Sequence, residues 1–423
     1  MTRPNVFMLV IDSLRADAVA GDHIVTKNFD ALAADGTSFA QAICTCTTTT
    51  PSFSSLLTGC YPPKHGVRGL QGYRLSSARK TLAEMFADAG YNTFAEVTGP
   101  LLKETGILRG FAEAHHRQAY RVPFFEWRDR VIARMNAYPD PWFLMLHIWE
   151  VHRPYRSPPD FAKRNDRAGY EGAVSATDEW LGPVFEAAGD ALTIMTGDHG
   201  ESYANSPLEQ KALRGARKAR RALRLNKWFP AADKKLAGLA VGHGFALWEH
   251  LVRVPLVISG PGIPKAHVAD QVRHVDLVPT LTDLCDLGAR EGIDGRSLVP
   301  LMEGGTLPEE PAYMEAVGVK LEGRRVLGAR TPDWKLLVSG GGRPSLYKLD
   351  GGPGGAPDEK HNLHGRYPEV ATRLRGYIDA VNAASPGSGD DGSGSSSDGT
   401  SSEAMTKEEE AIVEQHLRDL GYL

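Results

Sequence analysis

The stretch Asn5-Val6-Phe7-Met8-Leu9-Val10-Ile11-Asp12-Ser13 is an apolar run that stops abruptly at a carboxylate and a hydroxyl. It reads as a buried parallel strand with polar groups at its carboxyl end. Working outward, Trp142 to Ile148, Ala191 to Met195 and Val254 to Ser259 repeat the pattern, and Tyr91 to Val97 is a further strand. Helical spacing separates them, over Thr81 to Ala89 (closed by Gly90), Phe124 to Tyr138, Tyr170 to Ala187 and Leu277 to Leu287. Strands alternating with helices predict an α/β fold, a mostly parallel central sheet with helices on both faces. Such sheets bind ligands outside the carboxyl ends of their strands. Asp12-Ser13, His147 to His152 and Asp198-His199 all fall at such ends, which predicts one shared site.

The texture changes near residue 310. Arg325 to Val338 and Ser345 to Leu349 read as short strands joined by turns, and Tyr367 to Val381 as an amphipathic helix. The expected organisation is a catalytic domain over 1–310 carrying a basic insertion at 207–238, then a small antiparallel subdomain with a helix over 311–383. A Gly/Ser/Asp-rich flexible linker over 384–402 and a terminal helix over 403–423 follow. With 423 residues, 42% hydrophobic and 24% charged, the chain is long enough for a large core. A net charge of −4 gives no whole-chain footprint for nucleic acid, so no nucleic-acid partner is expected. No run approaches the roughly 18–20 apolar residues that span a bilayer, and Met1 to Val10 is too short and wrongly flanked for a signal peptide. Cys44, Cys46, Cys60 and Cys285 lack finger spacing or a disulfide framework, so a reduced, cytoplasmic protein is expected.

Two local patterns carry chemistry. Asp198-His199, on a loop after a strand, places a carboxylate and an imidazole within reach of one cation, and Asp12 adds a second carboxylate. Oxygen-rich ligation with one nitrogen suits Zn²⁺, Mn²⁺, Mg²⁺ or Ca²⁺. The second pattern is Thr47-Thr48-Thr49-Thr50-Pro51, which leads into a helix that Gly59 ends. A hydroxyl just ahead of a helix N-terminus sits where anions bind, although an N-cap threonine has the same signature.

Together these pieces resemble the alkaline phosphatase superfamily in its sulfatase-like branch. The resemblance rests on Asp12-Ser13-Leu14-Arg15-Ala16-Asp17, Thr49-Thr50-Pro51-Ser52, Leu57-Thr58-Gly59-Cys60-Tyr61-Pro62, His65-Gly66-Val67 and Thr196-Gly197-Asp198-His199-Gly200-Glu201. It continues through Gly242-His243-Gly244, Trp248-Glu249, Arg253-Val254-Pro255-Leu256 and Val275-Asp276-Leu277-Val278-Pro279-Thr280-Leu281 to Leu346-Tyr347-Lys348-Leu349 and Asn362-Leu363. The resemblance implies a nucleophile two residues before the motif proline, which is Thr49, and leaves Thr47 and Thr48 out of register. It implies metal ligands at Asp12, Thr49, Asp198 and His199, for one divalent ion, with room for a second if Glu150 takes part. It implies a substrate-contacting His152 and a His243 near the leaving group, as general acid or charge stabiliser. His147 reads as a strand-end histidine with a satisfied hydrogen bond, Trp248 and Tyr61 as packing residues, and Arg15 and Asp17 as bystanders.

Departures from the pattern sharpen the chemistry. Family sulfatases carry a cysteine or serine at the Thr49 position, oxidised to formylglycine, with arginine after the proline. Here the arginine position is Phe53, the second aspartate of the usual pair is Ser13, and Val97-Thr98-Gly99-Pro100 replaces a Gly-Lys-Trp-His segment. Threonine nucleophiles are typical of phosphodiesterase, phosphonate-hydrolase and phosphomutase relatives. The expected function is therefore metal-dependent hydrolysis of a phosphate-type ester, mono- or diester or phosphonate, through a covalent Thr49 intermediate. Sulfate ester hydrolysis without formylglycine, transfer to an alcohol acceptor, and a binding protein on an inactive scaffold are the alternatives. The substrate expected is an anionic small-molecule or lipid ester. Lys211 to Lys227 holds eight basic residues and no acidic one. It reads either as a solvated insertion or as an anion-attracting lid or peripheral membrane contact.

Overall fold

A computed structural model describes residues 3–19, 24–118, 121–155, 169–203, 242–288, 291–318, 325–340, 343–349, 359, 361–384 and 405–423. The basic stretch Lys211 to Lys227 and the 385–402 part of the Gly/Ser/Asp-rich segment lie outside these residues.

The strand that opens the sequence is the centre of the molecule. β1 (Val6–Ile11) is flanked on one side by β5 (Trp142–Ile148) and on the other by β6 (Leu192–Gly197), both parallel to it. Every residue of these three strands is buried, which is why each reads as a continuous apolar run. β3 (Asn92–Thr98) and β4 (Glu113–Arg117) extend the sheet beyond β5 in parallel. On the other side come β8 (Leu256–Ser259), β2 (Gly36–Ile43) and β7 (Arg253–Val254), with β9 (Ala266–Arg273) paired to β2. β8 runs antiparallel to β6, so the Val254 to Ser259 run is not another parallel strand. Direction is set by the connection, and a short apolar run does not encode it.

The period of two along β1 splits the core into two layers. Val6, Met8 and Val10 pack with Phe53, Leu56 and Leu57 of the Thr49–Thr58 helix, with the Leu82–Asp88 helix and with the Leu277–Cys285 helix. Phe7, Leu9 and Ile11 face the Phe124–Met135 and Gly169–Ala188 helices. Helices therefore cover both faces, and both faces of β1 are dry. The Leu82–Asp88 helix starts at a capping box, Thr81 with Glu84.

β10 (Ala312–Ala316), β11 (Val326–Arg330), β12 (Trp334–Ser339) and β13 (Ser345–Lys348) form a second, antiparallel sheet. The Pro368–Ala383 helix covers it through Ala371, Leu374 and Ile378. A buried ionic cluster ties this sheet to the first. Glu249 receives Arg330 at 3.0 Å and Lys335 at 2.9 Å, and Glu359 also contacts Lys335. Burial pushes the Glu249 carboxyl up, but Lys335 and Arg330 outweigh it and hold it at about 2 instead of 4.5. A depressed carboxylate stabilises the fold above its unfolded value and loses that contribution as pH falls through the folded value. Glu249→Gln is therefore expected to cost about 3–5 kcal/mol at neutral pH, because it strands two buried cations. It should also flatten the loss of stability between 4.5 and about 2, as urea unfolding across pH will show.

The four cysteines are buried and form no disulfide. No helix among the described residues is long and apolar enough to cross a membrane.

Candidate metal centre and active site

Sheet register brings the chemistry together. Ile11 stands opposite Ile148 on one side and Gly197 on the other, so β1, β5 and β6 end at one level. Asp12 and Asp198 are the next residues out, and both are fully buried. The chain after β1 turns at Ser13, whose φ of 64° is in the left-handed region. That turn points the Ser13 N–H at Asp198 Oδ1 (3.0 Å) and its hydroxyl at Asp12 Oδ1 (2.7 Å). Asp198 Oδ1 also accepts from the His199 N–H at 2.8 Å.

The Thr49–Thr58 helix enters from the other layer. Thr48 sits at the N-cap with an extended φ of −148° and makes no side-chain cap bond, which leaves the first-turn amides without that partner. Ser52 Oγ donates to Asp198 O at 2.6 Å and fixes the helix to the β6 loop. Thr49 Oγ1 then donates to Asp12 Oδ2 at 3.1 Å. Thr47 Oγ1 instead bonds Ala246 O.

The remaining atoms are acceptors without donors. His199 Nδ1 bonds Gly200 O at 2.9 Å; a carbonyl only accepts, so in the neutral ring the Nε2 lone pair faces Asp198 Oδ2, 3.3 Å away. His147 Nδ1 is likewise held by Thr98 O, and its Nε2 lies 3.6 Å from Asp12 Oδ2. Asp198 Oδ2, His199 Nε2 and His147 Nε2 have no hydrogen-bond partner among the described residues. Ligand atoms of Asp12, Asp198 and His199 lie within 4.8 Å of one another. Lone pairs and carboxylates converging in a dry pocket repel unless a cation or a proton sits among them. Burial and the neighbouring Asp12 push the Asp198 carboxyl well up, whereas the nearby His147, His152 and His199 overcome burial to hold Asp12 well down. The donor set, two carboxylates and an imidazole beside a hydroxyl, fits a divalent cation.

His243 and His152 line the outer side. The His243 ring lies 4.3 Å from that of His199 and 5.1 Å from that of His152, and its Nδ1 is 3.4 Å from Glu201 Oε2. Burial, then His199, holds His243 well below the ordinary histidine value, and burial lowers His152 to about 4. Both shifts disfavour the charged form of the ring, which a nearby anion would favour again.

The structure corrects two expectations. Glu150 cannot serve a second metal: Arg117 takes both its oxygens, at 2.7 and 2.8 Å, and the Phe124 N–H adds a third bond. His147 is only half satisfied, and its free ring nitrogen borders Asp12. Glu201, two residues past His199 and fully buried, is a further wall residue; its place after Asp198-His199-Gly200 was the available signal. Phe53 is buried edge-on against His147, ring centroids 5.0 Å apart. Tyr61 packs in the core of the second sheet, and Arg15 pairs with Asp17 and donates to the Glu201 carbonyl at 3.3 Å.

A family model described as Sulfatase matches residues 4–287. An uncharacterized sulfatase of Escherichia coli, YidJ, is 23% identical, the match covering 90% of this chain and 88% of that one. An ulvan-active sulfatase of Formosa agariphila is 24% identical over 75% of this chain and 68% of its own. Among solved structures, the phosphonate monoester hydrolase of Agrobacterium radiobacter superposes with a TM-score of 0.68 at 20% identity, covering 90% of this chain and 96% of that one.

Proposed function

The chain belongs to the sulfatase family of ester hydrolases, and on that premise we propose that it hydrolyses phosphate-type esters through a covalent intermediate on Thr49. The observation that carries this reading is the Thr49 hydroxyl. It stands at a helix N-terminus, 3.1 Å from Asp12 Oδ2, in the pocket formed by Asp198 and His199. A threonine cannot be converted to the formylglycine that the resemblance associates with a cysteine or serine at this position. Phe53, packed on His147, leaves no arginine where sulfatases carry one.

Asp12, Asp198 and His199, with the Thr49 hydroxyl, would hold the metal. A divalent cation bound there lowers the cost of the Thr49 alkoxide and offsets charge on the attacked group. The protein's own groups do the rest. The hydrogen bond to Asp12 orients the Thr49 oxygen, which loses its proton to solvent and bonds to phosphorus as the bond from phosphorus to the alcohol oxygen breaks. The helix N-terminus favours the anionic group. An anionic ester raises the proton affinity of His243, which takes a proton from solvent and passes it to the departing alcohol oxygen, while the His152 ring borders the substrate. Water cleaves the threonine ester and restores the hydroxyl.

Sulfate esters are the second reading, favoured by the names of the curated relatives. A panel of p-nitrophenyl phosphate, phosphodiester, phosphonate and sulfate decides between them. The expected result is kcat/KM for the best phosphorus ester about 100-fold or more above the sulfate, about 3 kcal/mol of transition-state preference. Sulfate turnover with no phosphorus-ester turnover reverses the assignment.

A further inference from the structure

The last helix, Lys407–Asp419, is built to deliver one side chain to the site. Its N-terminus is a capping box, Thr406 with Glu409, and Arg74 bonds Glu409 at 2.7 Å. Met405, Val413 and Leu417 are buried against Leu70 and Leu102. His416 Nε2 donates to Gly99 O at 2.9 Å. The helix ends in a Schellman motif: Tyr422 N bonds Leu417 O and Gly421 N bonds Arg418 O, each at 2.9 Å. The motif needs a left-handed residue, and Gly421 supplies it with φ 80°. The chain therefore folds back over the helix end, and Tyr422 packs with Leu417 instead of running on into solvent.

That reversal sets the Tyr422 ring edge-on to Trp149, centroids 6.3 Å apart, and its hydroxyl 3.1 Å from His152 Nε2. His152 Nδ1 donates to Arg153 O at 2.7 Å, so in the neutral ring Nε2 accepts and the tyrosine donates. Beyond His152 and His243 lies a pocket of about 450 Å³, which Tyr422 and Phe245 wall on their apolar side and Arg153 on a polar one, among the described residues. It begins where the leaving alcohol would stand, since the His243 ring is 4.3 Å from that of His199.

We propose that Tyr422 is a specificity-determining residue, the wall that limits the pocket to esters with compact alcohol or phenol leaving groups. This rests on the hydrolase reading above. The wall is firm because the helix behind it is capped, ion-paired and packed, and because the tyrosine is pinned at both ring and hydroxyl. Removing the ring should open the pocket to bulkier leaving groups. Removing only the hydroxyl should leave the wall in place.

The test is the ratio of kcat/KM for a bulky ester, 4-methylumbelliferyl, to that for p-nitrophenyl, both of the anion the parent hydrolyses fastest. Tyr422→Ala should raise the ratio about tenfold or more, within the range a reshaped apolar pocket gives. Tyr422→Phe should keep the parental ratio while changing kcat through the lost bond to His152. Tyr422→Trp should lower the ratio, and it carries the test if the alanine variant fails to fold by circular dichroism. An unchanged ratio in the folded alanine or tryptophan variant, or a phenylalanine variant that matches the alanine one, overturns the proposal. A parent inactive on every ester of the panel overturns instead the hydrolase reading, and this inference with it.

Discussion

Thr49→Ala is expected to lower kcat/KM on the best ester by on the order of 10⁴-fold or more, the scale on which nucleophile removal acts in covalent catalysis. The neighbours should not follow. Thr47 spends its hydroxyl on Ala246 O, and Thr48 occupies the N-cap of the helix whose first residue is Thr49. Of these three threonines, Thr49 is the one bonded to Asp12. Thr47→Ala and Thr48→Ala, each leaving Thr49 and its helix in place, should retain most of the parental rate in the same assay. Full activity in Thr49→Ala removes the nucleophile assignment. Loss in all three points to collapse of the helix start, and thermal melts will separate that outcome from chemistry.

The second large effect concerns the cation. Asp198→Asn takes away a carboxylate and places an amide donor among acceptors. Loss of an outer-shell partner typically costs 10–100-fold in metal affinity, so loss of this ligand should cost more than about 100-fold. Metal analysis after dialysis should find the parent loaded and the variant stripped, with activity lost in parallel. The pH dependence has a definite sign. Burial and Asp12 raise the Asp198 carboxyl, so a metal that binds there displaces a proton, and affinity should fall as pH falls. That slope should be shallower in Asp198→Asn, where titration calorimetry can still measure weak binding. A variant that keeps both its metal and its activity would move the metal elsewhere.

Much of this arrangement was written plainly in the chain. β1, β5 and β6 are buried on both faces, so they appear as unbroken apolar runs, and the polar residues that follow them mark the site. The elements that escaped notice have weaker signatures for physical reasons. β4 is Glu-Ala-His-His-Arg at the edge of the sheet, mostly exposed. β2 contains Gly36, Ser38, Ala40 and Gln41 and has half-buried positions, so it shows neither a run nor a clean alternation. The place of Thr49 at a helix start was legible because Pro51 follows two residues on. Glu150 reads in the sequence as open to a second metal because its partner, Arg117, lies 33 residues away and nothing local announces the pair. Tyr422 is the extreme case, since its hydroxyl meets His152 across 270 residues of sequence.

The most direct test of the account is an acid-quenched turnover of the metal-loaded enzyme with a phosphorus ester, followed by peptide mass spectrometry. The account predicts a phosphoryl or phosphonyl adduct on the peptide that contains Thr49, with fragmentation placing it on that residue, and no adduct in Thr49→Ala. Rapid turnover with Thr49 unmodified at every quench time, or an adduct on another side chain, would contradict it.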